Sequence, residues 1–114
     1  MIYPALALNV QEATLAFKTK LAIHFADSRS VLFGSRAKNQ AHPESDADVA
    51  VLLPGSPGKF IDTKFFMDDL AYEVLLATGI RIQPLPIWQS EWDHPEIFSN
   101  PQLILNIKAE GIPL

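Results

Sequence analysis

Cysteine is absent from this chain. That excludes disulfides, zinc–thiolate centres and thiol nucleophiles together, and it fits a reducing, cytoplasmic setting. Long apolar runs are also missing, since none approaches the roughly 18 to 20 residues that a membrane helix needs. The opening residues "MIYPALALNV" lack the basic start of a signal peptide. A soluble, unexported, cytoplasmic protein is therefore expected, with no membrane partner. Positive charge is scarce: nine Lys and Arg stand against 13 Asp and Glu, for a formal charge of -4 and a pI near 5.2. Binding a nucleic-acid backbone requires a basic stripe, and none is found, so direct nucleic-acid binding is disfavoured. Repeats, low-complexity tracts and internal linkers are missing as well.

What the chain has is core-forming material. Hydrophobic residues make up 48% of 114 positions, enough for a single domain over residues 1–114 and too little for a second lobe. Val10, Ala13, Phe17, Leu21 and His24 recur at spacings of three and four and predict a helix over 10–26. "SVLFG", 30–34, reads as a strand. "DADVAVLLP", from 46, reads as a second strand that becomes apolar on both faces, as in a central, covered position. "PGSPG", 54–58, ends it. A helix is predicted from Phe60 to Ala77, with Asp62, Asp69 and Glu73 on a polar stripe against Ile61, Phe65, Leu70 and Val74, and with Gly79 as its stop. "IRIQPLPIW", 80–88, is a third strand whose two prolines suggest an edge position or an early end. Asn100 and Pro101 mark the cap and first turn of a last helix that stops at Gly111. The order is helix, strand, strand, helix, strand, helix. It implies an α/β or α+β fold, a small mixed sheet with helices packed on it.

The chemistry is concentrated in "FGSRAKNQAHPESDADVAVLL", 33–53. Side chains two apart on a strand share a face, so Asp46 and Asp48 point together while Ala47 turns away. Their Cβ atoms lie roughly 7 Å apart, where two ionised carboxylates repel by about 2 kcal/mol at an effective dielectric near 20. A positive group is expected between them. Gly34 permits a close backbone approach, the amide and hydroxyl of Ser35 suit phosphate oxygens, and Arg36 offers a charged contact. Two carboxylates beside a phosphate site suit Mg²⁺, which takes one or two protein carboxylates together with phosphate oxygens.

Gly34-Ser35, ten residues, then Asp46-Ala47-Asp48 resembles the signature of the DNA polymerase β type nucleotidyltransferase superfamily. Within it, Gly34 to Ala37 and Ser45 to Asp48 resemble the minimal nucleotidyltransferase group, and "NPQLILNIKAEGIPL" is similar to the closing helix of such domains. The resemblance implies a polymerase β type core and transfer of a nucleoside monophosphate, AMP from MgATP, to an acceptor hydroxyl with release of pyrophosphate. It implies Asp46 and Asp48 as catalytic metal ligands, and Gly34, Ser35 and Arg36 with them as nucleotide-binding residues. It also implies a third carboxylate from a later strand. "GIRIQPLPIW" contains none, and Gln83 is the polar residue of similar reach there. A glutamine offers a neutral oxygen and cannot act as a base. Asp62, Asp69 and Glu73 are substitutes only if their helix faces the cleft. Such domains often act as antitoxins that modify a tyrosine on a small helical HEPN ribonuclease toxin, so a protein partner is expected. Two further readings stand beside this one: a nucleotide-binding antitoxin or regulatory subunit without catalysis, and a small-molecule nucleotidyltransferase, which would need a second lobe.

Other stretches carry less. "GSPGK", 55–59, fails as a phosphate loop, because Leu53 stands where the first glycine belongs and Phe60 where the hydroxyl belongs. Asp93, His94 and Glu96 read better as a proline turn than as a metal site. His24 and His42 lack a nearby nucleophile. Trp88 and Trp92, four apart, read as core or interface residues.

Overall fold

The computed structural model describes residues 6–38, 40–42 and 45–114. Its elements are α1 (Leu8–His24), β1 (Arg29–Phe33), β2 (Ala47–Leu53), α2 (Phe60–Thr78), β3 (Ile82–Trp88), a short α3 (Gln89–Asp93), α4 (Pro101–Glu110) and β4 (Ile112–Pro113). A single 3-10 turn at Pro95–Ile97 joins α3 to α4. The four strands form one mixed sheet in the order β3-β2-β1-β4. β1 runs antiparallel to β2 and to β4, while β2 and β3 are parallel. The parallel pair requires a crossover, and α2 provides it. This is the small α+β arrangement that the order of elements predicted.

The sheet is covered on both faces. Ala47, Val49, Val51 and Leu53 pack with Phe17 and Leu21 of α1 and with Met67, Leu70 and Val74 of α2. Ala50 and Leu52 pack on the opposite face with Phe98 and with Ile104 and Ile107 of α4. β2 is thereby the central strand, buried at every position except Asp48. β3 is an edge, which its prolines Pro84 and Pro86 tolerate because an edge strand has one side without a ladder partner.

Several boundaries differ from the sequence expectation. α1 spans 8–24 instead of 10–26, because the chain turns after His24 to enter β1, with the Phe25 amide donating to the Leu21 carbonyl. β4 was not foreseen: two residues are too short for a periodic signal and owe their strand form to pairing with Val31 and Leu32. On α2, Leu70 and Val74 are buried as expected, but Ile61 and Phe65 are exposed, and Met67 fills the core in their place. The sheet covers only one stripe of a helix, and the axial rotation of α2 puts Ile61 and Phe65 outside that stripe.

Candidate active site

β1 ends at Phe33, and Gly34 turns the chain with φ 75°, a left-handed value that favours glycine. A tight turn follows, with the Ala37 amide donating to the Gly34 carbonyl at 3.1 Å and the Gln40 amide to the Ser35 carbonyl at 2.9 Å. Neither the amide nor the hydroxyl of Ser35 has a hydrogen-bond partner among the described residues. A donor pair of this kind suits an anion. The stretch between this turn and β2 includes Asn39, Pro43 and Glu44, which lie outside the described residues.

Asp46 sits one residue before β2, and Asp48 is inside it. Ala47 is buried between them toward α1 and α2, so the two carboxylates share the opposite face by strand alternation. Across the register Asp48 stands opposite Phe33 on one side and opposite Gln83 on the other. A Cβ built on Gly34 would lie 2.5 Å from Asp48 Oδ2. The glycine turn and the carboxylate are therefore in near contact, with no room for a side chain between them. Burial raises the Asp48 carboxyl above its ordinary value of 3.8, and the charge of Asp46 adds to the rise.

Arg36 has a more specific position than the sequence suggested. Its Nε and Nη2 donate to the Ser45 carbonyl at 3.1 and 2.8 Å, closing the loop immediately before Asp46. The guanidinium therefore braces the backbone that carries the first carboxylate. Gln83, chosen from the sequence only for its reach, does meet the site: its Nε2 donates to Asp46 Oδ2 at 3.3 Å.

Two residues escaped the sequence reading. Arg81 places Nε 3.9 Å from Asp46 Oδ1, a positive group beside the first aspartate and not one between the two. With both side chains substantially exposed, the pair contributes at most about 1 kcal/mol to stability. Asp68 of α2, paired with Lys64 at 2.6 Å, shares with Tyr72, Arg81 and Gln83 the lining of a cavity of about 300 Å³ at the β3 edge. The carboxylates considered from the sequence, Asp62, Asp69 and Glu73, are exposed on α2, and Glu73 pairs with Lys20 at 3.3 Å. No periodicity distinguishes Asp68 from Asp69; only the rotation of the helix does. Arg81 precedes β3 in sequence and becomes visible only when β3 is laid beside β2.

The remaining motifs have ordinary surroundings. Asp93 accepts from Gln89, and His94 meets Glu96 at 3.4 Å beside the Pro95 turn. His24 packs edge-on against Phe66, and Trp88 is buried. Among the described residues no group of three or more His, Asp or Glu side chains is placed to hold a metal ion.

The donor set is nevertheless suited to one hard divalent cation. Two carboxylates converge on one face of a strand end, and the half-buried one is short of compensating charge. The structure thus sets Asp48 of the central strand in near contact with a glycine turn whose Ser35 amide and hydroxyl are open, with Asp46 beside it on the same face of the α+β sheet. The chain belongs to the family of the Nucleotidyltransferase domain, whose profile matches residues 12–100. That span contains Gly34, Ser35, Asp46, Asp48 and Gln83, and domains of this family use a nucleoside triphosphate with a divalent metal. Among solved structures, one match is a Sulfolobus solfataricus protein provisionally described as a nucleotidyltransferase, with 18% identity over 75% of this chain and 78% of that chain and a TM-score of 0.49. A search of curated proteins found none that matches. Among the described residues no helix is long and apolar enough to cross a membrane.

Proposed function

We propose that this chain transfers AMP from MgATP to a hydroxyl on a partner protein, using Asp46 and Asp48 as metal ligands and the Gly34-Ser35 turn as the phosphate cradle. The observation that carries this reading is the near contact of Gly34 with Asp48 Oδ2, which sets the glycine turn directly against a carboxylate, as a triphosphate meeting its cation there would require. A divalent ion bound there supplies charge neutralisation for the triphosphate and the departing pyrophosphate. The Ser35 amide and hydroxyl hold phosphate oxygens, and Arg36 keeps the Asp46 backbone in place through Ser45. The acceptor oxygen bonds to the α-phosphorus as the bond from that phosphorus to the bridging oxygen breaks. The electron pair leaves with pyrophosphate, and the acceptor proton passes to water. Catalysis of this kind is positioning and electrostatics, with little covalent work for the protein. The protein acceptor and an antitoxin role toward a helical HEPN partner rest on the sequence resemblance, and so does reading residues 1–114 as a single minimal nucleotidyltransferase domain.

A second reading is favoured by one observation: Gln83, not a carboxylate, stands opposite Asp48. On that reading the chain binds MgATP and its partner without transferring AMP. Isothermal titration of ATP with and without Mg²⁺, on the native chain and on an Asp46→Asn, Asp48→Asn double variant, tests the shared part. Mg²⁺-dependent binding that the double variant loses is expected, and equal affinity with and without the ion excludes both readings. Labelled AMP transfer to a candidate helical partner then separates them, with transfer supporting the first and binding without transfer the second.

A further inference from the structure

We propose that Arg81 is the fixed cation on the acceptor side of this site, so that the chain takes one divalent cation with its triphosphate and not two. The inference rests on the nucleotidyl-transfer reading above and specifies its charge plan. Asp48 lies between two strands: Phe33 and the Gly34 turn on the β1 side, Gln83 on the β3 side. With the phosphate cradle on β1, an in-line attack on the α-phosphorus comes from the β3 side, where Arg81 and Gln83 line the cavity beside Tyr72 and Asp68. A hard cation on that side would need a further anionic oxygen. None is supplied among the described residues, since no third carboxylate or histidine joins the pair and Asp68 is already paired with Lys64 at 2.6 Å.

The side chains present do the opposite of attracting a second ion. Gln83 is neutral and donates its amide to Asp46 Oδ2 at 3.3 Å, and the guanidinium of Arg81 lies 3.9 Å from Asp46 Oδ1 and repels a nearby cation. The formal charges still balance. A carboxylate with a divalent cation amounts to a single positive unit, and Gln83 with Arg81 amounts to the same. A guanidinium stays protonated at any working pH and presents a planar fork that matches phosphoryl oxygens. Arg81 is more than half exposed, and among the described residues its side chain meets Asp46 at a long 3.9 Å, so its head group is able to turn from Asp46 to a phosphoryl oxygen arriving at the cavity.

The test is Mn²⁺ titration followed by electron paramagnetic resonance, with α,β-methylene-ATP, which resists cleavage at the reacting bond. The native chain should bind one Mn²⁺ per bound analogue, and a variant combining Arg81→Ala with Gln83→Asp should bind two. Two tightly held Mn²⁺ ions on the native chain overturn the inference while leaving the nucleotide reading intact. Absence of any Mn²⁺-dependent analogue binding overturns the nucleotide reading itself. A double variant that folds, by circular dichroism, and still holds one ion shows that these two residues do not set the count. The native count decides the matter even if that variant fails to fold.

Discussion

At Gly34 the backbone has φ 75°, and any Cβ there would meet Asp48 Oδ2 at 2.5 Å. Valine or alanine at this position would therefore push on the Asp48 carboxylate itself, the proposed metal ligand, and not merely on incoming phosphates. Gly34→Ala should cost about 1 to 2 kcal/mol from the left-handed backbone alone, read as a lower urea midpoint, and should weaken Mg²⁺-dependent ATP binding. Unchanged binding would show that Asp48 can move aside freely. Asp48 has a second measurable consequence. Its folded carboxyl holds the proton more tightly than the unfolded one, through burial first and then the charge of Asp46. The ionised form therefore opposes folding, so this group's contribution is most favourable below 3.8 and declines as pH rises from there through the raised folded value. Asp48→Asn should make the metal-free chain more stable at neutral pH and remove that part of the pH slope. Melting curves in EDTA across the acid-to-neutral range check this, and a neutral-pH loss of stability in the variant would contradict it.

Among the elements, α4 shows how far local chemistry fixes a helix. The Asn100 side chain accepts from the Leu103 amide at 3.3 Å, Pro101 opens the first turn, and the Gly111 amide closes the end on the Ile107 carbonyl. These are the start and stop signals read in the sequence. Asn100→Ala should cost about 1 kcal/mol, with faster hydrogen exchange confined to the first turn of α4; a silent substitution would mean that the packing of Ile104 and Ile107 alone fixes the start. The loop between β1 and β2 is governed differently. Its closing bonds run from Arg36 to the Ser45 carbonyl, nine residues apart, a link that no short-range pattern announces. The same holds for α2, where a polar stripe set against Ile61, Phe65, Leu70 and Val74 predicted a helix but the buried set is Met67, Leu70, Ala71 and Val74.

For the molecule as a whole, the position of β2 matters most. It is the central strand with clusters on both faces, so its N-terminal end is a rigid platform for two carboxylates. Apolar burial provides the free energy to hold that platform, and partly burying Asp48 is a cost borne by the rest of the sheet. The parallel crossover through α2 then brings Arg81 and Gln83 beside the aspartates from more than thirty positions away. A sheet of this order sets the Gly34 turn on the β1 side of Asp48 and Gln83, which lines the cavity at the β3 edge, on the other. On the proposed reading, that separation gives the leaving group and the acceptor different approaches.

From the sequence alone came the order of the six longer elements, the central strand, the edge strand marked by its prolines, the caps of α4, and the Gly34-Ser35 and Asp46-Asp48 halves of the candidate site. Each of these is local: periodicity, turn chemistry and alternation act within a few residues, and a linear pattern records them. The tertiary structure alone decided that Arg36 braces Ser45, that Gln83 stands opposite Asp48, that Asp68 and not Asp62, Asp69 or Glu73 reaches the cavity, and that Arg81 supplies the positive charge beside Asp46. Those facts depend on strand register and on the axial rotation of α2. Both are fixed by long-range packing of side chains, which summed local preferences do not specify.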